Sequence, residues 1–537
     1  MRLKSCLLLV AVAGGLMAQT GARYLIIAND YFYDAIQPLA QWKTKKGMLC
    51  TVVKTSQTGS SNTQIRNYIV NAYNTWNPRP EFVLLVGGGA YLASNAKGWG
   101  PYSIRTDNPY ASITGDYRAE LPYGRLPCNS VRQCSVMVAK TLDYERTPDM
   151  GDTNWYHHAT TVCRDSTDND APTYWSDIRT VINEAVANGF SSFDSLSSSR
   201  LQDSLDIRQS VNNGTAFVLY RGRASDNWYT PFDMRSYLGG LTNDRRLPIV
   251  CSFTCQTISL DNYYDSMTGN TWVKAGTVTN PCGAVACVGN THSATSVAGQ
   301  RSAMTRGFFS GLFTESLLTL GSAVLRGKLQ LYNEYHDSMD YMGFNLLGDP
   351  ELNVWTTVPR AMQVTHEAYV PTGPGTFAVS AAKSGDALRN ALICIQSGSG
   401  IYQYGYTDAS GQISFSIDPT VEEMMDVTVT ARNCVPYEGQ AEIYDPAAIA
   451  APAAARRKPE AALGVSPNPG RAHFAISAQP GAEVSIHSSD GRLVWTGAMP
   501  AAGALNWDAS NMPAGIYLVQ SISGAGATVR RTLQVVR

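Results

Sequence analysis

The sequence predicts an α/β region with a mostly parallel sheet, followed by two smaller β-rich domains. Between Tyr24 and about Thr357, apolar runs of strand length alternate with amphipathic helical patterns, which is typical of a parallel sheet covered by helices on both faces. After Thr357 the pattern changes to short alternations of apolar and polar residues between Gly, Pro and Asp turns. The length of 537 residues exceeds a single hydrophobic core, so we expect three or four domains.

Residues 1–18 are predicted to be a signal peptide. Arg2 and Lys4 give this segment a basic start, and the apolar run from Leu7 to Ala18 is too short to span a bilayer as a helix. No later segment has the pattern of a transmembrane helix. We therefore expect the mature chain to leave the cytoplasm.

The composition argues against several partners and cofactors. A net charge of −1 with only 16% charged residues gives no electrostatic reason to expect nucleic acid or an anionic membrane as a partner. Of the eleven cysteines, Cys6 lies in the predicted signal peptide, and the remaining even number permits disulfides without fixing their pairing. There is no Cys-x-x-Cys pair or Cys/His cluster with zinc spacing, so no structural zinc is expected.

The first α/β units are predicted between residues 24 and 86. Their strands are Tyr24–Ala28, Thr51–Val53 and Phe82–Val86, and three glycines follow the last of them. Helical faces at residues 35–42, ended by Gly47, and at residues 65–73 separate these strands.

A second set of units is predicted after a break at residues 148–151. Strand candidates are residues 159–163, 215–220, 247–253 and 283–288, and helical patterns cover residues 174–188, 304–320 and 323–335. In open α/β sheets, functional groups gather beyond the carboxyl ends of the strands. Three of the predicted strands end close to Arg223, Cys255 and His292, which makes these residues candidates for a site.

The C-terminal part is predicted to hold two β-domains. Residues 358–445 have the length and pattern of an immunoglobulin-like sandwich. Residues 446–463 are rich in Ala and Pro and are predicted to be a linker, and residues 464–537 have the size of a second small β-sandwich.

Several segments, in order along the chain, resemble the gingipain family of secreted bacterial cysteine peptidases. They are Tyr24–Asp30, TDNPYASITGDYRAELPYGR at residues 106–125, Asp143–Arg146 and FNLLGDP at residues 344–350. The resemblance implies a caspase-like α/β fold with an N-terminal subdomain at 19–150 and a catalytic subdomain at 151–357, followed by the immunoglobulin-like domain. It also implies protein or peptide substrates.

The end of the chain resembles a type IX secretion sorting domain. VSPNP at residues 465–469, DGR at residues 490–492 and MPAGIY at residues 512–517 occur in that family's order. Each motif alone is an ordinary turn beside a strand. Together they imply a two-membrane bacterium, the type IX secretion machinery as a partner, and delivery to the cell surface or the outside.

Cys255 is the candidate nucleophile. A cysteine peptidase needs a thiolate, a nearby base and backbone N–H groups that stabilise the oxyanion. Pro248–Cys255 matches the strand that carries the family's nucleophile at its end, and the alternative is an inert or disulfide-bonded cysteine. Cys251 lies four residues earlier, on the same face of the strand and roughly 13 Å away, and is expected to be structural.

The family's catalytic histidine is replaced in this chain. The resemblance places a His-Gly pair after a Tyr-x-Gly turn, and here Tyr220 and Gly222 are followed by Arg223 and Ala224. Arginine stays protonated and cannot act as a general base, although a cation beside a thiol favours the thiolate. The oxyanion hole is expected at the backbone N–H groups of Ala224 and Cys255, with Ala224 lacking the conformational freedom of glycine.

Two further residues bear on the base. His292 follows the next predicted strand and is a substitute base if its strand lies beside that of Cys255, and otherwise a loop histidine with local hydrogen bonds. Glu120 resembles the family's acid that orients the histidine, and without that histidine we expect Glu120 to pair with Arg223.

Asp107 and Asp116 are candidate calcium ligands, with turn formation as the alternative. No other cofactor is expected. Three functions remain open: an active endopeptidase with an altered base, a pseudopeptidase that acts as a surface or secreted binding protein, and a structural adhesin. We expect peptidase activity to be low or absent at neutral pH.

Overall fold

The computed structural model describes residues 21–98, 103–261, 266–293, 298–446, 463–466, 468, 472–488, 492–523 and 528–536. The chain divides into two compact units between Tyr444 and Asp445. The predicted signal peptide and most of the predicted linker lie outside the described residues.

The first unit begins with an α/β region. Its described strands are β1 (Tyr24–Ala28), β2 (Cys50–Lys54), β3 (Phe82–Val86), β4 (Asn95–Lys97), β5 (Ile104–Thr106), β6 (Tyr123–Leu126), β7 (His158–Cys163), β8 (Ser192–Ser197), β9 (Phe217–Arg221), β10 (Ala224–Ser225), β11 (Asn227–Trp228), β12 (Ile249–Gln256), β13 (Ala286–Asn290) and β14 (Phe344–Leu347). Its described helices are α1 (Tyr33–Lys45), α2 (Thr55–Thr58), α3 (Asn62–Thr75), α4 (Asn108–Ala111), α5 (Val131–Glu145), α6 (Ala171–Ala187), α7 (Ser204–Asn213), α8 (Thr268–Lys274), α9 (Ala298–Phe313), α10 (Leu320–Tyr335) and α11 (Ser338–Gly343).

Ten strands form one sheet in the order β2-β1-β3-β6-β14-β13-β12-β9-β7-β8. The neighbours run parallel except at one place, where β14 is antiparallel to β13 while it remains parallel to β6. The strands from β2 to β14 therefore run opposite to those from β13 to β8. As a result, the amino ends of β6 and β14 share one edge of the sheet with the carboxyl ends of β9, β12 and β13.

Both faces of this sheet are buried, as a helix-covered parallel sheet requires. Along β12, Ile249 and Cys251 belong to a core with side chains of α6, α9 and α10, whereas Val250 belongs to a second core with α1, α5 and α8. This alternation follows the two-residue period of a strand. Within β12, only the last two residues, Cys255 and Gln256, are partly exposed.

The structure confirms most of the predicted elements of the α/β region. Strands are present at the predicted positions of β1, β2, β3, β7, β9, β12 and β13. The predicted helix at residues 304–320 was wrong in its bounds, because α9 ends at Phe313 and α10 begins at Leu320. The sequence did not reveal β8 or β14, since the first lies at the sheet edge with mostly polar residues and the second has only four residues.

A buried ionic cluster joins the two ends of the α/β region. Lys43 Nζ of α1 lies 2.7 Å from Glu145 Oε2 of α5, 2.6 Å from Asp349 Oδ2 and 2.6 Å from Glu351 Oε2. Lys46 Nζ lies 2.8 Å from Glu351 Oε2. All five side chains are almost fully buried. Such a cluster is stable only while each charge keeps its partners.

An immunoglobulin-like sandwich completes the first unit, as predicted. Its strands are β15 (Gln363–His366), β16 (Tyr369–Pro371), β17 (Gly375–Lys383), β18 (Asp386–Ala387), β19 (Leu392–Gln396), β20 (Tyr402–Tyr406), β21 (Gln412–Ile417), β22 (Met424–Thr430) and β23 (Tyr437–Tyr444), and they form two sheets. Tyr402 Oη donates a hydrogen bond of 3.0 Å to the Thr44 carbonyl at the end of α1. Glu438 of β23 lies 2.6 Å from Arg146 Nε. The sandwich therefore packs on the helix that carries Lys43.

The second unit is a small β-domain. Its strands are β24 (Gly464–Ser466), β25 (His473–Ser477), β26 (Glu483–Ser488), β27 (Leu493–Ala498), β28 (Ala504–Asp508), β29 (Gly515–Ile522) and β30 (Thr528–Val535). They form two sheets around a core that includes Phe474, Val484 and Val519. Within the described residues, no helix is long and apolar enough to cross a membrane, and no disulfide joins the ten cysteines.

We predict that Lys43→Met destabilises the protein strongly. The substitution removes the lysine from Asp349 and leaves Glu145 and Glu351 with Lys46 alone, and breaking a buried ion pair on one side costs about 3–5 kcal/mol. The matched control is Arg326→Gln, which removes a partly exposed pair with Glu315 and should cost at most about 1 kcal/mol. Denaturant unfolding followed by tryptophan fluorescence measures both. Equal free energies of unfolding for the two variants would contradict the role given to the cluster.

Candidate active site

Cys255 lies at the carboxyl end of β12, where the sheet core meets solvent. The strand is buried up to Thr254, and Cys255 is only partly buried. β12 pairs with β9 on one side and with β13 on the other, both parallel, with Gln256 opposite Asn290. Cys251 is fully buried, and burial raises the pKa of its thiol well above the ordinary value, which fits a structural role.

A guanidinium lies against the sulfur of Cys255. It belongs to Arg301, in the first turn of α9, whose Nη1 donates a hydrogen bond of 2.9 Å to Cys255 Sγ. The Arg301 side chain is only 6% exposed. Arg221 at the end of β9 holds this end of α9 in place, because its Nη2 donates to the Ala298 carbonyl and to Ser302 Oγ.

A histidine–aspartate pair lies at the same edge of the sheet. Nδ1 of His292, two residues beyond β13, is 2.9 Å from Asp340 Oδ1, which also accepts a hydrogen bond of 3.0 Å from Asn290 Nδ2. Because the Asp340 carboxylate can only accept this hydrogen bond, the proton of the neutral imidazole lies on Nδ1. Nε2 then carries the lone pair and makes no hydrogen bond to any residue in the described ranges. Burial alone would raise the pKa of Asp340, but the hydrogen bond from His292 and the charge of Arg301 hold it below the usual range.

The reversal at β14 brings Asp340 to this place. Asp340 belongs to α11, which directly precedes β14, and the amino end of β14 lies beside the carboxyl end of β13. Gly343 makes the close approach possible, since a Cβ there would lie 2.3 Å from Asn290 Oδ1 and 2.9 Å from His292 Cβ. Arg301 completes the connection, with its Nε 3.6 Å from Asp340 Oδ2.

Arg223 lies beyond the neighbouring strand β9, but its guanidinium is directed towards a carboxylate. Its Nε is 3.1 Å from Asp168 Oδ2, and 53% of its side chain is exposed. The cation in contact with the Cys255 sulfur is therefore Arg301. The turn that holds Ala224 is fixed against β12 by a hydrogen bond from Thr254 Oγ1 to the Gly222 carbonyl, which keeps the Ala224 backbone close to the end of this strand.

The expected pair between Glu120 and Arg223 is wrong. Glu120 is exposed, and its carboxylate accepts hydrogen bonds from the Ile113 N–H at 2.6 Å and from Thr114 Oγ1 at 2.7 Å. Arg223 binds Asp168, which lies nearer to β9 in the loop before α6. The sequence could not reveal this choice, because both carboxylates lie in loops whose paths depend on the sheet order.

Asp107 and Asp116 do not fit a calcium site. Both carboxylate oxygens of Asp107 accept hydrogen bonds from the buried guanidinium of Arg125, at 2.6 and 2.7 Å. The carboxylate of Asp116 is bound by the Arg118 side chain and backbone. Oxygens already bound to guanidinium groups are poor ligands for a cation that takes six to eight oxygens.

Sequence reasoning missed Arg301 and Asp340. Arg301 comes beside Cys255 because α9 begins just before it, and the sequence did not predict that start. Asp340 comes to the site because β14 pairs antiparallel with β13, which the sequence did not reveal either. One signal was available for Asp340. The run from Asp337 to Asp340 has the pattern of a helix N-terminus, and it comes just before the segment 344–350 that carries the family resemblance.

Comparison with known proteins matches both parts of the chain to families. Residues 17–355 match the family described as peptidase family C25, and residues 464–535 match the secretion system C-terminal sorting domain. Lys-gingipain HG66 of Porphyromonas gingivalis is 23% identical over 469 residues, which cover 80% of this chain and 26% of that protein. Gingipain R2 of the same species is 24% identical over 384 residues, which cover 68% of this chain and 50% of that protein.

Solved structures show the same fold. The crystal structure of the Arg specific cysteine proteinase gingipain R has a TM-score of 0.70 at 19% identity and covers 80% of this chain and 99% of that one. A second protease structure has a TM-score of 0.68 at 21% identity and covers 78% of this chain and 97% of that one. This likeness confirms the caspase-like α/β fold. The chain spans a quarter to a half of the length of the curated relatives above.

We predict that Asp340→Asn destabilises the protein more at neutral pH than in acid. The folded-state pKa of Asp340 is below its unfolded value, so ionised Asp340 stabilises the fold above about pH 3.8, and this contribution is lost as the pH falls through the folded-state pKa. Denaturant unfolding at pH 7 and at pH 3 measures the difference between variant and parent. Asp386→Asn, an exposed change in β18, is the control and should change stability little at either pH. A difference for Asp340→Asn that stays the same at both pH values would contradict the linkage.

Proposed function

Since the chain belongs to peptidase family C25, the family of the gingipains, we propose that it is a cysteine endopeptidase with a relocated catalytic base. Cys255 is the nucleophile, and His292, oriented by Asp340, replaces the histidine that family members carry at position 223. The observation that carries this proposal is the placement of Cys255 and His292 at the carboxyl ends of adjacent parallel strands. Arg301 and Asp340 connect the two side chains.

The proposed reaction follows the usual two steps of a cysteine peptidase. His292 Nε2 takes the thiol proton of Cys255, the sulfur bonds to the scissile carbonyl carbon, and the proton passes to the amine that leaves. Water then attacks the thioester, gives a proton to His292 and releases the acid, and the thiol is restored. Backbone N–H groups at Ala224 and Cys255 are the proposed oxyanion donors, as the family resemblance implies.

Arg301 and Asp340 have distinct parts in this proposal. The Arg301 guanidinium, 2.9 Å from the sulfur, stabilises the negative charge on the sulfur after His292 has taken its proton. Asp340 keeps the proton of His292 on Nδ1, so that Nε2 is free to accept one, which is the role of the third member of a catalytic triad. Arg223 has no part in proton transfer, because it stays charged and binds Asp168.

A pseudopeptidase is the second candidate. Two observations favour it. Arg223 stands at the position of the family's histidine and binds Asp168, so the usual base is absent, and Glu120, at the position of the orienting acid, makes only local hydrogen bonds. In this case the fold would serve binding at the cell surface or outside the cell. The C-terminal sorting domain indicates such a location for either candidate, and the proposed partner in export is the type IX secretion machinery.

Peptide cleavage by the purified chain tests the proposal. The sequence alone predicted little or no activity because Arg223 replaces the histidine, but with His292 as the proposed base we predict thiol-dependent cleavage in a quenched-fluorescence peptide library, abolished by Cys255→Ala. His292→Gln should lower kcat about 10²–10⁴-fold, the range for a lost general acid–base group. His336→Asn is the matched control, since His336 is exposed with a left-handed backbone that asparagine tolerates, and it should leave kcat unchanged.

Arg223→His separates the two candidates. If His292 is the base, Arg223→His should change kcat less than His292→Gln does. A parent chain without cleavage, together with activity gained by Arg223→His, would support the pseudopeptidase. Full activity in His292→Gln would also end the proposal for His292.

A further inference from the structure

Asn290 makes hydrogen bonds in two directions from the end of β13. It is the last residue of this strand and is fully buried. Its Nδ2 donates to Asp340 Oδ1 at 3.0 Å, and its Oδ1 accepts a hydrogen bond of 2.7 Å from the backbone N–H of His292. One amide group therefore binds both the proposed base and the carboxylate that orients it.

The backbone of Asn290 binds the segment that follows the proposed nucleophile. Its carbonyl accepts a hydrogen bond of 2.9 Å from the N–H of Thr257, two residues beyond Cys255. Gln256 is paired with Asn290 in the register of β12 and β13. Asn290 thus connects three parts of the candidate site, which are the end of β12, the turn that holds His292, and α11.

The amide of Asn290 matches both of its side-chain contacts. Asp340 presents an acceptor and the backbone of His292 presents a donor, so residue 290 needs a donor and an acceptor side by side. An ionised aspartate would offer only acceptors, and an aliphatic side chain would leave both buried groups without this partner. Gly343 leaves room for the amide, because a Cβ there would lie 2.3 Å from Asn290 Oδ1.

The amide also reduces the negative charge that acts on the imidazole. Asp340 Oδ1 accepts hydrogen bonds from both Asn290 Nδ2 and His292 Nδ1, while Arg301 Nε lies 3.6 Å from the other oxygen, Oδ2. Burial raises the pKa of Asp340, but the hydrogen bonds from His292 and Asn290 and the charge of Arg301 hold it below the usual range. Cys255 is the titratable group on the neighbouring strand. Without the amide, the carboxylate should attract the imidazolium more strongly.

We propose that Asn290 is a positioning residue, which holds the pair of His292 and Asp340 in one arrangement relative to the segment that carries Cys255. The inference rests on the proposed function for the role of His292 as the base. Because the side chain of Asn290 is fully buried, it is not available to bind a substrate. Its loss should therefore lower kcat and change the pH dependence of the reaction, while KM stays the same.

Asn290→Ala in the full chain tests this by steady-state kinetics. kcat should fall by up to about 100-fold, the cost of a misplaced catalytic group, with KM unchanged. The acid limb of the pH profile of kcat/KM should move to higher pH by about one pH unit, because the imidazolium is then held more strongly. A loss of folded protein alone would lower kcat equally at every pH and would leave the acid limb in place.

Histidine NMR measures the same effect without turnover. In the chain carrying Cys255→Ala, the imidazole signal of His292 is identified by its absence in His292→Gln. The midpoint of its pH titration should move to higher pH on Asn290→Ala. Asn290→Asp keeps the shape of the side chain but adds a negative charge beside Asp340, so it should move the midpoint at least as far, and it serves if the alanine variant does not fold.

Asn243→Ala is the matched control. Asn243 is also fully buried, and its amide accepts from the Gly283 N–H and donates to the Gly283 carbonyl. Gly283 precedes β13, so this amide lies at the opposite end of the strand from Asn290. The control should leave the acid limb and the titration of His292 unchanged.

The outcomes separate this inference from the proposed function. An unchanged titration of His292 in both Asn290 variants, an acid limb that stays in place, or an equal change in Asn243→Ala would overturn the role of Asn290. A shifted titration in a parent chain that cleaves nothing would support this role and refute the peptidase. Cleavage that depends on His292 but keeps its pH profile in Asn290→Ala would do the reverse.

Discussion

The antiparallel pairing of β13 with β14 is the constraint on which the candidate site depends. It is the one reversal in a ten-stranded sheet that is otherwise parallel between neighbours, and it turns the amino end of β14 towards the carboxyl ends of β12 and β13. Parallel sheets place loops after strands at their functional edge. Here the reversal also brings α11, the helix that precedes β14, to this edge. Asp340 of α11 therefore contacts His292, close to Cys255 at the end of β12.

Arginines organise the sheet edge around this reversal. Arg221 joins β9 to the start of α9, and Arg301 joins Cys255 to Asp340. Each is almost fully buried, so each needs fixed partners that keep it in one conformation. Arg223 differs, because half of its side chain is exposed and its partner Asp168 lies away from the sulfur. The Arg223 guanidinium therefore takes no part in the contacts between Cys255, Arg301 and Asp340.

The sequence predicted the layers of the fold better than the contacts of the site. Apolar runs such as Phe82–Val86 identify buried strands, because a strand covered on both faces must be apolar throughout. The polar run Ser192–Ser197 forms an edge strand, which needs less burial and so gives no such signal. Cys255 and His292 could be placed at strand ends from periodicity alone. Arg301 and Asp340 could not, since their positions depend on strand order and on where α9 begins.

The contact between the immunoglobulin-like sandwich and α1 has a consequence for how the α/β region can be isolated. Tyr402 binds the carbonyl of Thr44, the residue that follows Lys43, and Glu438 binds Arg146, the residue that follows Glu145. A fragment that stops near Thr357 would expose this helix end to water next to the most densely charged part of the interior. The sandwich thus shields that interior from water, and the compact unit to which both belong ends at Tyr444.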